Sequence, residues 1–592
     1  MKRLLHICLI SLISFSAAAA LPHENNAADQ NKNLKAFIQV WGLIKYHHPA
    51  SVNGHFEADR VFLENVGTVK QATPYEFNKI VLTIMSSLKA DPVYNGASSL
   101  KRSADGLYQN IDLGWIKDKI YAAPLASKLT ALSSAYNSSG KHFYMPSVHY
   151  ESMLPNEKIY ADYNFDQQGM NLLALAKAWN AIEYLFPYKY AIGKDWKKVL
   201  DEMIPLFLGI KNRQDYERAV LSLEVAVNDT HAEGFIKEMK AKSAIFNLKY
   251  YPPFDYRVYG RQILIREFLT DSLQRISQLR RGDLIISMNG LKVSRWLASR
   301  YNLHPASNIA VKNRALSTQE DGSAYLFSGI ENKSLSLQVL RKGRLLAVKL
   351  ELLDRKNPAD MNAATSYFRL KYAKEKQIKG YEDIDEETGL FRAGYFFDKD
   401  LPNGEEEIAR FCSRLRSKKS LIFDMRGYPQ APGLFYMFIP MALGRSSFKF
   451  ARYYAADLSY PGAFVQRKEM ELYLSASLKP DPNSYTGKIV ILTDEHTQSM
   501  GEWYTMMLSQ LNKNTTIIGS QTAGADGDLK KISLPGGYQF IFTGNGIFYP
   551  DGRKTQRIGI RPDIQFSPSS DDLVNKADAQ LERAMEFIKT GK

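Results

Sequence analysis

The sequence predicts a multidomain α+β protein, with a helical N-terminal half, a strand-rich insert and a C-terminal α/β core. Three observations predict it. A helical pattern carrying Trp, Tyr and Pro occurs twice: Trp41, Tyr46 and Pro49 match Trp179, Tyr184 and Pro187 at an offset of 138. Residues 255–355 alternate like short strands between turn signals. The run Lys488 to Asp563 reads as strand, loop, helix, strand, which implies a right-handed parallel crossover. At 592 residues the chain exceeds one core. The division read from these patterns is 1–20, 21–165, 166–254, 255–355 and 356–592.

Composition sets the class. Hydrophobic content of 45% and charged content of 23% are those of a globular protein. Residues 1–20 read as an export signal: Lys2 and Arg3 precede the apolar Leu4 to Phe15, and Ser16-Ala-Ala-Ala-Ala20 supplies small residues for cleavage. A soluble periplasmic or secreted protein is expected, with no membrane span. Only Cys412 then remains in the mature chain, which excludes an intrachain disulfide. The formal charge of +15 is dispersed rather than clustered, so no nucleic-acid partner is expected.

The helical half comes first. Phe37 to Tyr46 places apolar residues at helical spacing and ends at His47-His48-Pro49. Leu175 to Pro187 repeats it. Pro74-Tyr75-Glu76 and Asp215-Tyr216-Glu217 each open a further apolar run, at an offset near 141. These matches read as a duplicated two-helix unit that pairs with itself. Adjacent histidines on a helix do not face each other, and no carboxylate or Cys lies at ligand spacing, so His47-His48 reads as helix-end packing. The second copy ends at Asn228-Asp229-Thr230-His231-Ala232, where the first has Ala90-Asp91 and no histidine.

In the insert, Gly282-Asp283 precedes an apolar strand and Asn289-Gly290 is a two-residue hairpin turn. Ser334 to Gly343 and Leu345 to Leu353 close it. This region resembles a PDZ domain through Gly282-Asp283-Leu-Ile-Ile-Ser-Met-Asn289-Gly290. Such domains bind extended peptides by strand addition. Gly260 to Ile265 is the nearest candidate for a carboxylate-binding loop. A charged linker near 370–388 leads to the core.

In the core, Ser420 to Asp424 is a buried strand before Met425-Arg426-Gly427, and Asp424 with Arg426 reads as a structural ion pair. Ile489 to Leu492 is a second buried strand. Ser499 follows a polar loop and stands at a helix N-terminus. Ser499 with Glu502 fits a capping box. The same position suits a nucleophile, because unpaired N–H groups there can hold an oxyanion.

The ordered series Thr497-Gln-Ser499-Met-Gly-Glu502, Gly519-Ser-Gln-Thr-Ala-Gly524, Leu534-Pro-Gly-Gly537, Tyr549-Pro-Asp-Gly552 and Gln556-Arg-Ile-Gly-Ile-Arg-Pro-Asp563 resembles the C-terminal-processing (tail-specific) and tricorn protease family. The resemblance implies a crotonase/ClpP-like α/β core and an exported serine peptidase that acts on peptides or unfolded proteins without cofactor or metal. It makes Ser499 the nucleophile. Thr230-His231-Ala232 resembles the segment that carries the base in tricorn-type members, so His231 is the expected base, with His496 a competitor in the nucleophile's own loop. The oxyanion donors would be the N–H groups of Met500 and Gly427, although Tyr428-Pro429 departs from the family's Asn-x at this point and proline has no N–H. The residue that orients the histidine would be Gln556, where tricorn-type members have Glu. Two alternatives stay open. One is a catalytically weak or inactive peptide-binding relative. The other is a Ser–Lys dyad using Lys530 or Lys531.

Overall fold

The structure, a computed structural model, describes residues 26–88, 108–147, 151–445, 447–466, 471–473 and 483–592. The expected export signal and Ala90-Asp91 lie outside the described residues. Among the described residues, no helix is long and apolar enough to cross a membrane.

The duplication is visible in three dimensions. Copy one comprises α1 (Ala27–His47), α2 (Ala58–Gln71) and α3 (Pro74–Ser87). Copy two comprises α4 (Gln168–Leu185), α5 (Trp196–Leu208) and α6 (Arg213–Val227). Each copy therefore contributes three principal helices, where the sequence pattern had suggested two. In each, the first-helix indole donates to a carbonyl 17 residues on: Trp41 Nε1 to Ala58 O at 2.7 Å, and Trp179 Nε1 to Trp196 O at 3.0 Å. The helices meet at equivalent positions. Tyr46 stacks on Tyr184 at 4.8 Å between ring centroids. A Cβ on Gly42 would lie 1.8 Å from Asn180 Oδ1, so only glycine allows this approach. Because residues 138 apart face one another, the copies are related by a local two-fold axis. Buried on nearly every face, α1 and α4 carry apolar residues all round.

The third helices are in a different register from the one read in the sequence. Their N-caps are Thr73 and Asn212, an offset of 139 rather than 141. Buried Phe77 thus matches buried Tyr216, while Tyr75 is 78% exposed. Burial sets the register; the repeated Tyr-Glu pair does not.

The insert is a six-stranded antiparallel sheet: β1 (Phe254–Tyr259), β2 (Gln262–Phe268), β3 (Leu284–Met288), β4 (Leu291–Lys292), β5 (Ser334–Arg341) and β6 (Arg344–Glu351), in the order β1-β2-β3-β5-β6 with β4 on β3. Asn289 and Gly290 both have positive φ, as the hairpin turn requires. Gly260 sits in the tight β1–β2 turn and Gln262 to Ile265 is strand, so this segment is not an open binding loop. A helix, α7 (Ile309–Leu316), packs beside β1. Just beyond it, Ser317 and Thr318 hydroxyls accept the Val258 and Tyr256 N–H groups at 2.9 and 3.0 Å. The outer edge of β1 is therefore occupied by the chain itself.

The expected linker is largely structured. Asn357 caps α8 (Pro358–Glu375), with Pro358 in its first turn. Its charges obscured a helix without an apolar face. The core sheet follows: β7 (Tyr381–Asp383), β8 (Thr388–Arg392), β9 (Ser420–Asp424), β10 (Lys488–Thr493), β11 (Thr515–Gly519) and, after a hairpin, a final short strand, Ile564–Gln565. All adjacent pairs are parallel except β7–β8. The helix α9 (Met500–Ser509) crosses between β10 and β11. The hairpin of β12 (Leu529–Ser533) and β13 (Gln539–Thr543) leaves this sheet and packs on the C-terminal end of α6. There Glu224 accepts the Ile541 N–H at 2.8 Å, while in the first turn of α6 Tyr216 donates to Pro535 O at 2.7 Å.

Candidate active site

Ser499 occupies the turn between β10 and α9. Its φ of 52° and ψ of −114° are strained for a serine. Its N–H donates to Ala525 O at 3.1 Å and to Glu502 Oε2 at 3.3 Å. Only this half of the capping box is a clear hydrogen bond; the hydroxyl does not cap the first turn. The side chain is left for other chemistry. It faces the Tyr428 hydroxyl, whose pKa is raised by burial and drawn back by the Ser499 contact.

Glu502 holds this turn. Its buried carboxylate accepts the Gly524 and Ala525 N–H groups at 2.8 and 2.9 Å, as well as the Thr522 hydroxyl. Burial raises its pKa and these donors oppose the rise. Thr497 completes the frame: its hydroxyl donates to Met425 O at 2.8 Å, fixing the serine loop to the segment after β9. Gly427 lies two residues beyond Met425. The Met500 and Gly427 N–H groups make no hydrogen bond within the described residues. Arg426 binds Asp424 and Asp578, each through two nitrogens, which makes it structural.

His231 lies in a short 3₁₀ turn, Thr230–Ala232, at the end of α6. Its side chain is 6% exposed. Nδ1 lies 2.7 Å from Thr543 Oγ1, and Nε2 makes no hydrogen bond within the described residues. Asp229, fully buried, accepts the His231 N–H at 3.2 Å and the Thr543 N–H at 2.6 Å.

One guanidinium ties the two segments together. Arg314, at the end of α7, donates to Glu233 at 2.7 Å, to Gln498 Oε1 at 3.0 Å and to Glu495 O at 2.8 Å. Glu233 is two residues after His231, and Gln498 is one before Ser499. A second link runs through Asn308 at the other end of α7. Its amide donates to the Thr522 and Ala523 carbonyls at 2.9 and 3.0 Å, while the adjacent Ser307 binds Thr230. The structure thus brings the His231 and Ser499 segments together, without a direct hydrogen bond between the two side chains.

The remaining sequence candidates fall differently. Gln556 is buried, and its amide makes no hydrogen bond within the described residues; it does not bond the imidazole, because Thr543 occupies Nδ1. His496 is half-exposed and pairs with Asp494 at 3.2 Å. Burial opposes its charge, but Asp494 and Glu495 outweigh that and raise its pKa, a poor state for a base. Asp494, Glu495 and His496 have ligand atoms within 4.8 Å of one another, but Glu495 is already paired with Arg257. Lys530 Nζ donates to Glu151 O at 2.6 Å, and burial lowers its pKa to about 8. His47 and His48 close α1: His47 Nε2 bonds Pro461 O at 3.1 Å, and His48 accepts the Ala50 N–H. Asp229, Thr543, Arg314 and Tyr428 had been assigned no role from the sequence. Asp229 carried a signal, since an Asp immediately before a helical turn is a capping residue. Thr543 carried none.

A cleft of about 1430 Å³ opens beside Gly427 and Tyr428 and runs between Arg257, Gly260, Tyr372 and Phe397. A strained serine between a parallel strand and a helix, with backbone donors and an imidazole-bearing segment alongside, has the parts of an acyl-transfer centre. Residues 388–566 match the model of peptidase family S41. The core is that of a serine-type peptidase. The C-terminal part of the chain thus carries a peptidase family S41 domain. No curated protein sequence matches the chain. Among solved structures, mature CPAF complexed with lactacystin is 14% identical, with 72% of this chain and 97% of that chain covered and a TM-score of 0.49. The photosystem II D1 C-terminal processing protease is 14% identical over 67% and 93%, with a TM-score of 0.31. A putative peptidase from Parabacteroides merdae is 13% identical over 72% and 98%, with a TM-score of 0.39.

Proposed function

We propose that this peptidase cleaves peptide bonds through an acyl-enzyme on Ser499, with His231 as general base. Nε2 takes the Ser499 proton, Oγ attacks the carbonyl, and the imidazolium returns the proton to the leaving amine. The Met500 and Gly427 N–H groups receive the developing oxyanion. The observation that carries this reading is Arg314, which binds the neighbours of both residues at once. Peptides enter along the cleft lined by Gly427 and Tyr428. On the same reading the core is crotonase/ClpP-like and residues 255–355 are a PDZ-like module. Its β1 edge is closed by Ser317 and Thr318, which favours a structural or gating role over peptide capture. Export with removal of residues 1–20 belongs to the proposal, and N-terminal sequencing of the mature protein tests it.

A fluorophosphonate probe tests the chemistry. Wild type should label, while Ser499→Ala should not and His231→Ala should label far more slowly. Labelling that survives Ser499→Ala ends the reading. Full labelling in His231→Ala, with loss in Lys530→Ala, would establish the Ser–Lys alternative. Absence of any turnover on unfolded proteins would favour a peptide-binding relative.

A further inference from the structure

We propose that Asp229, acting through the Thr543 hydroxyl, is the positioning and charge-compensating partner of His231, in place of a carboxylate at position 556. The inference rests on His231 being the base. Thr543 Oγ1 lies 2.7 Å from His231 Nδ1 and 3.0 Å from Asp229 Oδ1. A hydroxyl has one proton to donate, and an ionised carboxylate only accepts. Thr543 therefore donates to Asp229 and accepts from Nδ1–H. That fixes the tautomer: the proton sits on Nδ1, and Nε2 is left with its lone pair for the serine proton. Asp229 also lies 3.7 Å from Nδ1, near enough to stabilise the imidazolium directly.

The carboxylate is held ionised. Burial alone would raise its pKa; His231, the Thr543 hydroxyl and the Thr543 N–H together hold it below the usual value. The other charged groups nearby do not take over this task. Glu233 is ion-paired to Arg314. Glu224, on α6, has its pKa pushed well up by burial and accepts the Ile541 N–H. Gln556 is neutral, and its amide makes no bond to the ring.

The test measures the fluorophosphonate labelling rate of the full chain against pH, from about 5 to 9, beside a thermal melt. Asp229→Asn should slow labelling about 100-fold or more. It should also move the acid limb of the profile down by about one pH unit, because the imidazolium loses its counter-charge. A purely structural role would not move that limb. Thr543→Val should slow labelling by about 10-fold or more, and Thr543→Ser should restore it to within about 3-fold, since the hydroxyl is what connects ring and carboxylate. If Asp229→Asn fails to fold, the Thr543 pair decides. A folded Asp229→Asn with wild-type rate and acid limb overturns the proposal, as does a fully active Thr543→Val. So does a limb that shifts in Gln556→Ala but not in Asp229→Asn. Wild-type labelling in His231→Ala would instead remove the base assignment beneath it.

Discussion

Replacing Glu502 with Gln should disable Ser499, the proposed nucleophile, before it unfolds the core. Each Glu502 oxygen accepts two hydrogen bonds: Oε1 from Thr522 and Gly524, Oε2 from Ala525 and Ser499. An amide has only one such oxygen, so its NH₂ must face donors. Two buried donors left unmet cost about 1–3 kcal/mol each. The strained Ser499 backbone costs about 1–3 kcal/mol to hold. The loss is comparable to or larger than the strain it supports, so Ser499 should relax away from its φ of 52°. A total loss of roughly 2–6 kcal/mol is within reach of the stability of one domain, about 5–15 kcal/mol. The expected result is a folded protein, by thermal melt, whose fluorophosphonate labelling is at least about 100-fold slower, as when a preorganised donor is removed. Labelling within about 3-fold of wild type in folded Glu502→Gln would refute the view that this carboxylate shapes the site.

Three further outcomes follow from other parts of the molecule. Burial lowers the pKa of His47 to about 3, of His142 to about 4 and of His304 to about 3. The unfolded chain binds these protons near pH 6.5, so their stabilisation is fully present above that pH and is lost as pH falls toward the folded values; at pH 5 the loss is about 2 kcal/mol per histidine, and urea midpoints should drop accordingly. Gly42→Ala drives a Cβ into Asn180 and should destabilise by about 1–3 kcal/mol, with Asn180→Gly relieving the double variant; additive losses in the double-mutant cycle would contradict the close helix crossing. In hydrogen exchange the Tyr256 and Val258 amides should stay protected with and without peptide, because Thr318 and Ser317 cap them; protection gained only on peptide addition would show that the β1 edge is open.

What could be read from the sequence depended on range. Local signals were legible. The β10–α9–β11 crossover and the Asn289-Gly290 turn are each carried by neighbouring stretches of chain, and the Trp41/Trp179 duplication by a local pattern that occurs twice. The placement of Ser499 before a helix was equally local. The bland capping reading of that serine was half right, because Glu502 does reach back to its N–H. What was not legible is what depends on distant pairing. His231 meets Thr543 across 312 residues, and Arg314 meets Gln498 across 184. No periodicity or spacing encodes either contact. The assignment of Gln556 as the orienting group came from likeness of position, and the imidazole is instead bonded by a threonine from the β12–β13 hairpin.

That hairpin also shows what the duplicated helices contribute. Asp229 and His231 share one short turn at the end of α6, so the proposed base and its carboxylate form a preassembled pair on the helical half. Ser499 and its donors belong to the core. The helical half reaches the core through β13, where Glu224 and Asp229 accept the Ile541 and Thr543 N–H groups in sequence along the strand. These two acceptors, five residues apart with Glu224 on α6 and Asp229 just past its end, fix the His231 turn against the hairpin. In the sequence only the second copy carries a histidine at this place, so on the proposed reading the duplication supplies the platform and this terminus the chemistry.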